Sequence, residues 1–170
     1  MDTWFISDTH FGHRNIIGYC RPEFPFVEDM DEALIKNWNE RVKPGDRVYH
    51  LGDFAISPKH AAAIRPRLNG TIRLIVGNHD DIPKLVNYGL FQRVQLWRAF
   101  KEHGFTATHI PLAASQLRHG TFNVHGHVHA NNSELEPHHL NICVEQTNYA
   151  PLHLNEVLAL IEAKAARMVA

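Results

Sequence analysis

The sequence predicts an α/β fold in which a parallel sheet, built in the first half of the chain, carries a second and partly antiparallel sheet built in the second half. Two observations predict it. Up to Asp80, short β-branched and apolar runs alternate with helical patterns, the order that favours parallel strands joined by right-handed crossovers. From Val94 onward apolar runs follow one another with little helix between them, until a single closing helix.

Taken in order, Thr3 to Ser7 reads as a short buried strand ending at Asp8. Met30, Leu34 and Trp38 recur at helical spacing behind acidic first-turn residues, which predicts an amphipathic helix over Asp29 to Arg41. Pro44-Gly45-Asp46 makes a turn, and a second strand, Arg47 to Leu51, runs into Gly52-Asp53. Pro58 opens a helix through Ala61 and Ile64 that Asn69-Gly70 stops. A third strand, Ile72 to Val76, runs into Gly77-Asn78-His79-Asp80. Val94 to Phe100, Phe105 to Thr108, Thr121 to His125 and Leu140 to Val144 are the expected strands of the second sheet, and Asn155 to Arg167 the closing helix. Without repeats, low-complexity tracts or linkers, residues 1–170 are expected to form one domain, and 44% hydrophobic residues suffice for its core.

Charge and composition exclude some classes of partner. A net charge of -1, from 17 basic and 18 acidic side chains, supplies no field for an extended nucleic-acid surface or an anionic membrane. No run approaches the roughly 20 apolar residues that span a bilayer. Met1 leads directly into a strand without a signal-peptide pattern, so a cytoplasmic location is expected. Cys20 and Cys143 are expected to be reduced, with Cys143 in the core.

Fourteen histidines stand out, and their placement matters more than their number. Five polar islands carry the chemistry: Asp8-Thr9-His10, Gly52-Asp53, Gly77-Asn78-His79-Asp80, His109 and Gly126-His127-Val128-His129. Those in the first half end predicted strands, where open α/β sheets bind ligands. Side chains at 8 and 10, and at 127 and 129, would share a face in extended backbone. Mixed carboxylate and imidazole donors suit Mn, Fe, Zn, Ni or Co rather than a calcium cage. Asp8, His10, Asp53, Asn78, His109, His127 and His129 are too many donors for one metal site that must also keep room for water. Two sites sharing a carboxylate use them all, and metals about 3.5 to 4 Å apart can hold a bridging hydroxide in line with phosphorus. His79 then stays free of metal to donate a proton to the leaving oxygen. Asp8 and Asp53 read in isolation could instead be helix caps, His127 and His129 a surface pair, and Asn78 and His79 plain turn residues.

The ordered series DTH, GD, GNHD, a lone His before Pro, and GHVH resembles the calcineurin-like metallophosphoesterase superfamily over positions 8 to 129. The resemblance implies a four-layer α-β-β-α double β-sandwich and a centre of two divalent metal ions, manganese first among the candidates. Asp8, His10, Asp53 and His129 would bind the first ion; Asp53, Asn78, His109 and His127 the second, with Asp53 bridging. His79 matches the family's catalytic histidine, and Asp80 the acid that orients it. The expected activity is hydrolysis of a small phosphate ester, a phosphodiester or small nucleotide before a phosphomonoester, by a monomer or small homo-oligomer; a non-catalytic metal-binding scaffold would be expected to have broken this residue set. His13 and Arg14 are candidate phosphate contacts, Arg14 through its planar fork of donors. His50 reads as a core histidine and His125 as core or support. His60, His103, His119, His138, His139 and His153 carry no predicted role, and Trp4, Trp38 and Trp97 read as packing anchors.

Overall fold

Strands β1 (Thr3–Ile6), β2 (Arg47–His50) and β3 (Thr71–Ile75) lie side by side in parallel, as the alternating pattern predicts. Between and beyond them run helices α1 (Arg14–Cys20), α2 (Val27–Arg41), α3 (Pro58–Ile64) and α4 (Ile82–Asn87). Pro58 occupies the first turn of α3, and the Ser57 side chain caps it by accepting the His60 amide. The computed structural model describes residues 1–118, 120–131 and 137–169; His119 lies outside them.

The stretch expected as one strand over Val94 to Phe100 is two. β4 (Arg93–Gln95) adds in parallel to β3, the chain bends at Leu96, and β5 (Trp97–Phe100) belongs to the other sheet. An apolar run carries no mark of a change of sheet, because both halves satisfy the same strand pattern. In the second sheet β5 pairs antiparallel with β6 (Phe105–Thr108), which pairs in parallel with β7 (Phe122–His125), and that with β8 (His139–Asn141). A two-residue strand, β9 (Leu152–His153), which sequence reasoning missed, returns antiparallel beside β1 and leads into α5 (Leu154–Val169). The result is two mixed sheets flanked by helices, an α-β-β-α sandwich.

Side-chain alternation divides the core. Trp4, Ile6, Val48, Ile72 and Leu74 face Met30, Leu34 and Trp38 of α2 and Leu85 of α4. Phe5, Tyr49 and Ile75 point the other way, against Phe100, Phe105, Val124 and Leu140 of the second sheet, with Val157 and Ile161 of α5 joining them. Phe5 is fully buried and packs edge-on to Phe100 and Phe105; its loss to Ala would cost about 3–5 kcal/mol. Beyond this packing, a backbone bridge between Ser7 and Cys143, just past β1 and β8, joins the two sheets and brings their carboxyl ends together.

Candidate functional site

At that junction the loops after β1 and β2 are stitched together by backbone hydrogen bonds from Asp8 to Gly52, His10 to Asp53 and Phe11 to Phe54, each 3.0 Å. The pairs at 8 and 10, and at 127 and 129, are not extended. All four residues, and Asp53, have positive φ between 49° and 73°. Left-handed turns, rather than strand alternation, aim these side chains inward, and they are costly for residues with a Cβ.

Two clusters result. Asp8, His10 and His129 form one, Asp53, His109 and His127 the other, each with ligand atoms mutually within 4.8 Å. Asp8 Oδ1 stands 3.8 Å from Nε2 of both His10 and His129. Asp53 Oδ2 is 3.5 Å from Nε2 of His10 and 3.5 Å from Nε2 of His109, so one carboxylate oxygen faces both clusters. Asn78 Oδ1 lies 2.9 Å from the same His109 nitrogen, whose ring is fixed by Nδ1 donating to the Leu51 carbonyl. The site could therefore hold two cations: Asp8 Oδ1 and His10 Nε2 are buried without a hydrogen-bond partner, a costly arrangement unless a cation fills it. Burial raises the Asp8 pKa and outweighs the opposing pull of His109, His129, the Ser7 hydroxyl and the His127 amide, a remaining penalty that a cation would offset. Burial, reinforced by the Arg21 charge, drives the His10 pKa far down, keeping the imidazole neutral as a ligand requires.

The remaining oxygens are spoken for. Asp8 Oδ2 accepts from Ser7 Oγ at 2.5 Å, from the His127 amide at 2.9 Å and from Cys143 Sγ at 3.2 Å. Asp53 Oδ1 accepts the His79 amide at 2.9 Å. Close approach demands glycine: a Cβ at Gly126 would collide with Ser7 and the Asp8 carboxylate, and one at Gly77 with Asp53.

Asp80 departs from expectation. Its carboxylate accepts the backbone amides of Asp53, Phe54 and Gly77 at 2.8 to 3.1 Å, rather than the His79 ring. Amides in a tight turn need acceptors, and the carboxylate, three residues from Gly77, meets that need first. It positions the Asp53 loop. The His79 ring stands exposed at the rim, its centroid 5.3 Å from that of His10 and 6.0 Å from that of His13. His13 precedes the first turn of α1, beside His10, and, with His10, His79 and His129, lines a cleft of about 410 Å³. Arg14, the first residue of α1, is exposed and does not line that cleft. His50 is a core residue whose Nε2 meets Thr9 Oγ1 at 2.9 Å, and His125 is buried against the Gly126 carbonyl.

Sequence reasoning missed two residues. Glu145 accepts from His129 Nδ1 at 3.0 Å, leaving Nε2 turned toward Asp8, and from Arg21 Nε at 2.8 Å. Burial opposes ionisation of both Glu145 and His129, but their mutual attraction lowers the Glu145 pKa and raises that of His129, aided by Cys20 and Arg21. Arg21, fully buried, also donates to the carbonyls of Asp8 at 2.5 Å and Thr9 at 3.0 Å, clamping the left-handed turn. Glu145 follows the apolar stretch Ile142 to Val144, so a lone acid after a strand-like run was the available signal; Arg21 had none.

Among the described residues no helix is long and apolar enough to cross a membrane. An uncharacterised protein of Methanocaldococcus jannaschii is 39% identical over 168 residues, which cover 94% of this chain and 90% of that protein. The Gene 66 protein of Mycobacterium phage L5 is 34% identical over 113 residues, 64% of this chain and 54% of the phage protein. In structure, a protein of unknown function from Aquifex aeolicus aligns with a TM-score of 0.73 at 29% identity, covering 94% of this chain and 99% of that one. The family model described as calcineurin-like phosphoesterase matches residues 1–159, and with the paired Asp and His clusters in place the chain belongs to that family.

Proposed function

We propose that this chain hydrolyses a phosphate ester at a centre of two divalent cations, with a phosphodiester or small nucleotide preferred over a phosphomonoester. The observation that carries the reading is Asp53 Oδ2, equidistant at 3.5 Å from His10 Nε2 and His109 Nε2 and so placed to serve two cations at once. Asp8, His10, Asp53 and His129 would hold one, and Asp53, Asn78, His109 and His127 the other. Manganese is the first candidate, with Fe, Zn, Ni or Co also suited to the donor set. When bound, such a pair lowers the pKa of water and neutralises charge developing on phosphoryl oxygens.

The chain's own residues do the rest. His79, exposed beside the first cluster and outside both sets of donors, holds a proton on a ring nitrogen and passes it to the leaving ester oxygen. His13, from the start of α1, reaches the same cleft and contacts the phosphoryl group, a role its exposed neighbour Arg14 is not placed to share. Asp80 keeps the Asp53 turn in shape through three amides, so its contribution to turnover passes through Asp53. Residues 1–170 would act as one domain, in the cytoplasm, on a small soluble substrate.

The test is hydrolysis of bis-p-nitrophenyl phosphate and p-nitrophenyl phosphate by metal-stripped protein reloaded with Mn²⁺, beside a His79→Ala variant. Diester turnover that requires metal and falls about 10²- to 10⁴-fold in the variant supports the proposal. Faster monoester turnover would move the preference to a phosphatase, and inert protein with two bound metals would reject the hydrolase.

A further inference from the structure

Beside the second cluster opens a cleft of about 1060 Å³ that no catalytic role accounts for, and Gly77, Asn78 and His109 belong to its wall. Strand register fixes its floor. Trp97 pairs with Thr108 and Ala99 with Thr106, on the face of β5 and β6 turned away from the inter-sheet core, whereas Phe100 and Phe105 face inward. The segment after His109 supplies Ile110, Leu112 and Leu117 to the other walls. Trp97 is 60% exposed and Leu96 70% exposed, a large cost in water-facing apolar area for residues that could have been polar. Lys101 and Arg118 are the charged groups of the lining, and none of the described lining residues is acidic.

Resting on the hydrolase reading above, we propose that this cleft is the specificity pocket and that it takes a flat, largely apolar ring carried by the ester, stacked on the Trp97 indole. Four features converge. The cleft is continuous with Asn78 and His109, so a substrate whose phosphoryl group sits at the clusters can extend its organic half directly into it. Its volume lies just above the roughly 300–1,000 Å³ of small-molecule pockets, more than a bare phosphate needs. An exposed indole offers a π face for stacking. The cationic lining tolerates the negative charge that every phosphate ester brings.

The test uses the metal-loaded full chain and two non-hydrolysable probes, 4-nitrobenzylphosphonate and methylphosphonate, followed by calorimetry and by quenching of tryptophan emission. The nitrobenzyl probe should bind at least tenfold more tightly than the methyl probe and quench Trp97, since Trp4 and Trp38 are buried. Trp97→Ala should weaken the aryl probe about tenfold, the usual worth of one stacking contact, and leave methylphosphonate within twofold. Trp97→Phe should restore most of the affinity, and Leu117→Glu, an acid placed in the wall, should weaken the aryl probe again. With bis-p-nitrophenyl phosphate the Trp97→Ala loss should appear in KM while kcat holds. Equal binding of the two probes, or aryl binding indifferent to Trp97→Ala, overturns the pocket even if turnover is found. Sedimentation as a dimer that Trp97→Ala dissociates would likewise overturn it, by showing a second copy on this face. The expected binding pattern without any turnover would keep the pocket and remove the hydrolase reading.

Discussion

Replacing Glu145 by Gln changes one charge and almost no volume, at a point where the structure makes two separable demands on that charge. The first is stability. Arg21 Nε lies 2.8 Å from Glu145 Oε1, with the Arg21 side chain fully buried and that of Glu145 5% exposed, so the ion pair has no solvent to fall back on. Breaking a buried pair while its other member stays buried costs about 3–5 kcal/mol. The carbonyls of Asp8 and Thr9 still accept from the guanidinium, and a Gln oxygen can still accept from Nε, so the lower end, about 3 kcal/mol, is expected. The second demand is on metal affinity. His129 donates from Nδ1 to Glu145, and a partner of this kind fixes the tautomer and raises the basicity of the opposite nitrogen; its loss typically lowers metal affinity about 10–100-fold. Chemical denaturation in EDTA reads the first, and Mn²⁺ titration calorimetry under native conditions the second. An affinity within twofold of the parent would refute the assignment of His129 as a ligand oriented by Glu145. A stability loss below about 1 kcal/mol would refute the account of Arg21 as dependent on that charge.

Two further outcomes follow from the geometry. Gly126→Ala drives a methyl group into Ser7 Oγ and the Asp8 carboxylate, so metal affinity should fall more than tenfold with about 1–3 kcal/mol of destabilisation, while Gly18→Ala in α1, which meets nothing within 4 Å, should leave metal binding intact; calorimetry on both variants decides. Asp31 accepts the Gly12 amide with both oxygens at 3.1 Å, and burial, with Glu28 and Glu32 close by, lifts its pKa to about 6 against the opposing pull of that hydrogen bond and of Arg21. A raised folded pKa means that the native state binds the proton more tightly than the unfolded chain, so stability is lost as pH rises through about 4 to 6. Asp31→Asn removes that loss and should stabilise the protein by about 1–2 kcal/mol at pH 7, allowing for partial exposure, with no gain at pH 4. Unfolding curves at the two pH values check it, and an equal gain at both would refute the titration argument.

The fold was legible because its first half obeys simple rules. β1, β2 and β3 are short, largely buried runs rich in β-branched and aromatic residues, each followed by a polar island at its carboxyl end, and that repetition marks a parallel sheet with a site along one edge. The candidate donors were legible for the same reason: Asp8, Asp53 and Asn78 come just after strands whose order already brings them together. What could not be read depends on contacts across long sequence separations. Glu145 reaches Arg21 across 124 positions and Asp80 reaches Asp53 across 27, and no local pattern announces either. The bend at Leu96 was hidden because β4 and β5 both satisfy strand periodicity, and the left-handed turns because aspartate and histidine are ordinary in extended backbone too.

Those turns lead to a final test. Among the described residues seven non-glycine residues have positive φ, and five of them are candidate ligands. Each such conformation costs about 1–3 kcal/mol and persists only where the surroundings impose it. Here they do: Arg21 clamps the carbonyls of Asp8 and Thr9, Asp80 the amides of Asp53 and Phe54, and Asn141 and Gln146 the carbonyl of His129. The folded chain would then be less stable for holding its donors in place, and the strain should be measurable at His127, where φ is 73°. His127→Gly and His127→Ala remove the same imidazole and keep the amide that donates to Asp8, so both should lose the second metal equally. They differ in backbone alone. Glycine accepts positive φ freely and alanine does not, so in EDTA the Gly variant should be more stable than the Ala variant by about 1 kcal/mol, against the usual order of those residues. If Ala were as stable as Gly, the turn would be unstrained, and the donors would owe their placement to ordinary packing rather than to clamps that hold a costly backbone.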